Sequence, residues 1–375
     1  MLSPPPTVLQ VLPALGQGGV ERGTVEIARA LVEAGGRALV ASAGGPMVAE
    51  LEAAGARHFT LPLDWKSPAA LLSNAGALRE IVKAEEVRII HARSRFPAWS
   101  ALMAARATGA RFVTTYHGSY NEGFPGKRLY NSVMARGERV IAISEHIAAL
   151  VRERHGADPA RLRVIPRGVD PARFDPAAVS PERIEALRRD WSLPANRPVI
   201  LMPARLTRWK GQGVLLRAAA MLPEPHPLIV LAGDAQGRDA YRAELEQRAT
   251  EMGVTARFPG PVVDMPAALA LADLVIHAST DAEAFGRTIV EAQAMRRLVI
   301  ASDLGAPRET VEEGVTGWRL PPGDPAALAG AITRALSLPP EQSAAIGEAA
   351  RAAVLARYTT RAMQDATLAV YRELA

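Results

Sequence analysis

The sequence contains no cysteine, which excludes disulfides, thiolate metal sites and thiol nucleophiles. Lysine is scarce: of 44 basic residues only Lys66, Lys83, Lys127 and Lys210 are lysines, so each stands out against an arginine background. Aromatic residues make up 5% of the chain, and no basic stripe carries stacking rings, which disfavours a nucleic-acid partner. No stretch reaches the roughly 18 apolar residues of a membrane span. The opening "MLSPPPTVLQVLPALG" has no basic n-region, and prolines break its apolar run. It therefore reads as no signal peptide. A cytoplasmic protein is expected, with peripheral contact to the cytoplasmic face of an inner membrane left open.

What is present describes a globular chain. Hydrophobic residues are 49% and charged residues 22% of 375 positions, a length that suits two domains of ordinary size. The net charge of +5 is unevenly spread. Residues 1–180 hold 22 Lys+Arg against 16 Asp+Glu (+6), whereas residues 181–375 hold 22 against 23 (−1). Either the first half meets something anionic, or the asymmetry is compositional drift.

Short β-rich runs alternate with amphipathic helical runs, the pattern of a parallel α/β protein. Strands are predicted near "TVLQVL", "RALVAS", "RHFTL", "RIIHA", "RFVTTYH", "RVIAIS" and "LRVIPRG" in the first half. The second half has "PVILMPARL", "PLIVLAG", "ARFPG", "LVIHAS", "LVIAS" and "GWRLPP". Both halves open with strand, glycine-bearing loop and helix, as two doubly wound domains in tandem would. The polar, Pro-rich segment at 170–195 is taken as their separator. This gives domains at 1–175 and 176–355, and a last helix at 356–375 that crosses back to the first. Ligands of such domains bind outside the carboxyl ends of the strands.

Three loops carry candidate chemistry. "LGQGGVERG" places Gly18 and Gly19 between a strand and a helix, where backbone N–H groups can approach an anion. The acidic residue of a dinucleotide fingerprint is missing from "ALVASAGGP", and no Gly-Lys-Ser/Thr follows the loop. A tight turn is the plainer reading. In "MPARLTRWKGQG", Arg205 and Lys210 stand five apart after a strand. They suit one forked and one point-charge contact to a diphosphate, or else a solvated basic loop. In "DAEAFGRTIVEAQAM", Glu283 and Glu291 flank the turn Ala284-Phe285-Gly286. Eight residues of helix rise about 12 Å, roughly the span from the sugar of a nucleotide sugar to its ribose. A dipole-favoured carboxylate plus one solvated glutamate is the alternative.

Taken together, these residues resemble the retaining glycosyltransferases of the GT-B fold, family 4. The matching stretches are the Gly-Gly loop with Glu21 and Arg22, "TYHG" with His117, "AIS" with Ser144, "VIPRGVD", "ARLTRWKG", "LAGD", "EAFGRTIVEA" and "GVTGW". They span nearly the whole chain in order. The resemblance implies two Rossmann-like domains facing across a cleft, the first holding the acceptor and the second a UDP- or GDP-linked sugar. It implies that His117, Arg205, Lys210 and Glu283 act at the reacting centre. Donor binding would fall to Gly18, Gly19, Arg205, Lys210, Glu283, Glu291 and the amides of Ala284, Phe285 and Gly286. Arg205 and Lys210 would neutralise the leaving diphosphate, Glu291 would hold the ribose, and no metal or other cofactor would be required.

Two positions depart from the pattern, Arg167 in "VIPRGVD" and Ala306 in "SDLGAPRETV", and neither is given a role. The stretch "KRLYNSVMARGERV" reads as a basic amphipathic helix carrying Lys127, Arg128 and Arg136. That helix could serve the acceptor or membrane side, or be a core helix with a solvated face. An anionic acceptor of lipopolysaccharide or glycolipid type is expected. The rival functions are a sugar-nucleotide epimerase of the same fold and a non-catalytic nucleotide-sugar-binding subunit.

Overall fold

The structure, a computed structural model, describes residues 6–16 and 18–375. The chain forms two compact units, one reaching to Arg167 and including Thr360–Ala375, the other Gly168–Thr359.

The sheet of the first unit contains β1 (Val8–Val11), β2 (Ala38–Ser42), β3 (Arg57–Thr60), β4 (Ile89–Ala92), β5 (Arg111–Tyr116), β6 (Arg139–Ala142) and β7 (Leu162–Val164). Their order is β3-β2-β1-β4-β5-β6-β7, and neighbouring strands pair in parallel. The second unit contains β8 (Val199–Pro203), β9 (Leu228–Ala232), β10 (Ala256–Gly260), β11 (Leu274–His277), β12 (Leu298–Ser302) and β13 (Trp318–Leu320). Their order is β10-β9-β8-β11-β12-β13, again with parallel pairing. Each strand lies within a stretch predicted from the sequence. The central strands are legible because helices cover both faces of a parallel sheet, so the strands become continuous Val/Ile/Leu runs. β1, β4, β8 and β11 are buried along their whole length. Strand order reverses between β1 and β4, and again between β8 and β11. Each reversal opens a crevice at the carboxyl ends.

The helix Thr360–Arg372 packs in the first unit through Met363, Leu368, Val370 and Tyr371. Its Tyr371 hydroxyl lies 2.6 Å from Nδ1 of the fully buried His91, whose Nε2 meets the Thr115 hydroxyl at 2.7 Å. Burial holds the His91 ring well below its usual pKa, and the charge of Arg93 adds to this. Residues 356–359 stay with the second unit, where the buried Tyr358 donates its hydroxyl hydrogen to Glu309 O (3.0 Å).

Two expectations need correction. The Pro-rich stretch at 170–195 is not a separator but part of the second unit, which begins at Gly168. Its Phe174, Val179, Trp191 and Leu193 are buried, and Arg351 donates to Phe174 O at 2.8 Å. The stretch from Lys127 is likewise not one amphipathic helix. It forms a short helix at Lys127–Asn131 and a 3-10 turn at Ser132–Ala135, because the chain must reach β6 at Arg139 and because Asn131 is fully buried.

Candidate functional site

In the second unit, the loops leaving β8 and β11 meet. Lys210 ends a short 3-10 turn, Arg208–Lys210, and its Nζ forms an ion pair with Oε1 of Glu283. The same carboxylate oxygen accepts from the Ser279 hydroxyl (2.9 Å) and lies 3.2 Å from Nε2 of His277, the last residue of β11. Both partners of the pair are largely buried, Lys210 at 15% and Glu283 at 12% side-chain exposure. Burial alone would raise the Glu283 carboxyl. His277 and Lys210 overcome it and hold the group well below the usual carboxylate range, so Glu283 is an anion at neutral pH.

The backbone is built around this pair. The Trp209 carbonyl accepts from the Thr280 amide (2.7 Å) and hydroxyl (3.2 Å), joining the two loops. The Lys210 ammonium lies 4.3 Å from the Trp209 ring centroid, within cation–π range. Gly211 follows at φ +84°, and a Cβ there would overlap the Ala278 carbonyl, so only glycine lets the loops close. On the far side of Glu283, Gly305 has φ +76°, and a Cβ would lie 2.5 Å from Glu283 O. The neighbouring amide of Ala306 donates to Glu283 O at 3.0 Å. Ala306, given no role from sequence, thus pins the backbone of Glu283.

Gly286 caps the helix Arg287–Ala294, and no side chain supplies a cap hydrogen bond. The helix begins four residues after Glu283. The expectation that eight helical residues separate the two glutamates is therefore incorrect, since an isolated bridge to Gly305 holds Glu283 outside the helix. Phe285 points into the core, edge-on to Tyr358 at 5.8 Å, so only its backbone is available to a ligand. Glu291 is buried, and its Oε1 accepts from Arg287 Nε at 2.8 Å. Burial raises its carboxyl pKa against the pull of Arg287 and Arg173. Arg205 is held more loosely, 3.4 Å from Gln236 Oε1. Its carbonyl accepts from the fully buried Gln212 (2.8 Å), which sets the path of the loop.

In the first unit, Gly18 and Gly19 are exposed at the start of the helix Gly19–Glu33. The Glu21 side chain folds back over Gly18, placing a carboxylate at the helix N-terminus, where the dipole favours it. His117 directly follows β5. Its Nδ1 lies 3.0 Å from Nη2 of Arg167, and its Nε2 is buried without a partner among the described residues. Ser144 caps the helix Glu145–His155, its hydroxyl accepting from the Ile147 amide at 3.1 Å. The "AIS" match is thus a structural one. Lys127 lies over Phe124, Arg128 donates to Arg154 O, and Arg136 lies over Trp99. Phe124 and Leu129 beside them are exposed.

Sequence reasoning brought Lys210 and Glu283 together but missed His277, Ser279, Trp209, Gln212 and Gly305. His277 and Ser279 were open to detection, since polar residues that end a buried strand at a crevice are candidates for a site. Among the described residues, no group of three or more His, Asp or Glu is placed to hold a metal ion. Also among these, no helix is long and apolar enough to cross a membrane.

Family models match both halves of the chain. Residues 17–173 match Glycosyltransferase Family 4, and residues 183–353 match Glycosyl transferases group 1. A glycosyltransferase of known structure from Rickettsia africae is 37% identical, with 98% of each chain covered and a TM-score of 0.91. The chain belongs to the family 4 type of GT-B glycosyltransferases. HepE of Anabaena, solved in complex with UDP and glucose, is 28% identical over 97% of this chain and 98% of its own, with a TM-score of 0.85. D-inositol 3-phosphate glycosyltransferase of Salinispora arenicola is 36% identical over 216 residues, 54% of this family member and 48% of that protein. The chain spans about half the length of the curated relatives it matches.

Proposed function

We propose that the chain is a retaining glycosyltransferase that moves a sugar from a UDP- or GDP-linked donor to an acceptor hydroxyl. The observation that carries this reading is the buried Lys210–Glu283 pair at the strand-order reversal of the second unit. It supplies one cation and one fixed carboxylate where a nucleotide sugar would lie in such a fold. Lys210 and Arg205 would meet the charge that grows on the diphosphate as the glycosidic bond breaks, stabilising the transition state more than the ground state. Glu283 would orient the sugar hydroxyls, with the amides of Ala284, Phe285 and Gly286 beside it. Glu291 would accept from the ribose, Gly18 and Gly19 would approach the phosphates, and His117 would stand beside the transferred sugar. No resident metal or cofactor is needed in this scheme, because side-chain cations do the charge work.

The acceptor is proposed to be anionic, of lipopolysaccharide or glycolipid type. The excess positive charge of residues 1–180 supports this, as does the exposed Phe124–Leu129 edge with Lys127, Arg128 and Arg136 beside it. A relative named for an inositol phosphate points the same way. The same edge suits peripheral contact with an anionic membrane.

The test is a screen of UDP-, GDP- and ADP-sugars by calorimetry and by slow hydrolysis, with the anomer of the released sugar read by NMR. One nucleotide class should bind and release sugar with its configuration retained. Binding of none refutes the donor assignment, and epimerisation of the donor without acceptor makes the chain an epimerase. Co-sedimentation with phosphatidylglycerol vesicles at low salt tests the membrane contact, and protein left in the supernatant refutes it.

A further inference from the structure

Arg167 occupies a place where the sequence assigned nothing, and its contacts are chemically restrictive. Its Nη2 lies 3.0 Å from Nδ1 of His117. A guanidinium has five N–H donors and no acceptor, so the contact is a hydrogen bond only when His117 Nδ1 carries the lone pair. In a neutral imidazole the proton then sits on Nε2. That Nε2 is the buried atom with no partner among the described residues, and a buried donor left unsatisfied bears the cost of its lost hydration. The arrangement leaves a hydrogen-bond donor waiting for an acceptor.

The helix Gly19–Glu33 bears on the same point. Gly23 is buried inside that helix, where alanine would be the better helix former. A Cβ at Gly23 would overlap Arg167 Nη1 and stand 3.1 Å from Arg93 Nη2. The missing methyl is the space through which the guanidinium reaches His117.

We infer that Arg167 is a positioning residue that fixes His117 in its Nε2–H tautomer, so that the ring offers a neutral donor and not a base. Resting on the proposed function, the acceptor of that hydrogen bond is a hydroxyl of the transferred sugar. The charged and titratable groups facing the ring are Arg167 after β7, Arg93 after β4, His91 within β4, and Tyr120, whose hydroxyl accepts from the His117 amide at 3.4 Å. Burial holds the ring well below its usual pKa, and Arg167, Arg93 and His91 add to this in that order.

The test reads the imidazole directly. In ¹⁵N-labelled protein, with the His117 signals identified by their loss in His117→Gln, long-range ¹H–¹⁵N spectra from pH 6 to 8 should show Nε2–H and no titration. Arg167→Met should give mixed tautomers and a ring that titrates toward the ordinary range, whereas Arg167→Lys, which keeps a donor and a charge, should restore the wild-type spectrum. Gly23→Ala leaves both residues in the sequence unchanged and need displace only the flexible end of Arg167. It should shift the spectrum as Arg167→Met does. In the kinetics, Arg167→Met should lose ~10-fold in kcat/KM, the size of one hydrogen bond, and gain an acid limb. A wild-type ring protonated at Nδ1, or an Arg167→Met spectrum unchanged from wild type, overturns the inference. Full turnover by His117→Ala would instead sink the placement of His117 beside the sugar, leaving the tautomer to be decided by NMR alone.

Discussion

Lys210→Ala is the perturbation that separates two explanations of one contact. Lys210 either acts on the leaving diphosphate or serves only to hold Glu283. Removing it takes one partner from a pair that is 15% and 12% exposed. Breaking such a pair costs about 3–5 kcal/mol when the remaining charge is stranded. Glu283 is not stranded, because the Ser279 hydroxyl and His277 Nε2 remain at 2.9 and 3.2 Å. The stability loss should therefore sit at or below the lower end of that range. Turnover should fall ~10²-fold or more, the cost of losing one preorganised charge contact in the transition state. The assay is UDP or GDP release under saturating donor, with urea unfolding in parallel, for Lys210→Ala, Glu283→Gln and the double variant. If Lys210 stabilises the leaving group, its kcat penalty persists in the Glu283→Gln background. If it only positions Glu283, the penalty disappears there, since the two changes would then remove the same thing. Turnover of Lys210→Ala within about threefold of wild type refutes the phosphate role.

Glu291→Gln should raise the donor KM ~10-fold with kcat little changed, the mark of lost uniform binding; a fall in kcat alone would move Glu291 out of the ribose site. Its fold stability should change little, because the raised carboxyl shows that burial already disfavours the charge. Burial keeps His91 and His117 well below 6.5 in the native state, so the unfolded chain binds more protons below that pH. Stability should then fall by about 1 kcal/mol for each histidine between pH 6.5 and 5.5, since the unfolded ring is already half-protonated at pH 6.5. Urea midpoints at pH 7 and 5.5 check this, and coincident midpoints contradict it. Excess EDTA should leave turnover of metal-free protein within about twofold, as expected where Lys210 and Arg205 do the charge work; loss restored by Mg²⁺ would overturn the metal-independent scheme.

The strands were legible because burial on both faces of a parallel sheet writes itself into consecutive Val, Ile and Leu residues. The loops at the carboxyl ends were legible only where the residue type was restrictive. Lys210 stood out in an arginine-rich chain, and Glu283 and Glu291 stood out beside a glycine turn. Some expectations failed where a local pattern competed with a distant contact. The stretch from Lys127 has helical spacing, yet the buried Asn131 and the approach to β6 shorten it. The Pro-rich run at 170–195 looks like a linker, yet Phe174 and Trp191 bury themselves in the second unit. The polar contacts that define the site were the least visible, because they join residues far apart in sequence. Lys210 meets Glu283 across 73 positions, and Arg167 meets His117 across 50. No periodicity encodes such pairs. What betrays them is an exception to a local rule, as at Gly23, where a helix accepts the costlier residue because a guanidinium passes over it. Departures from the best local residue are therefore where a site such as this one becomes readable, provided that the group filling the vacated space can be named.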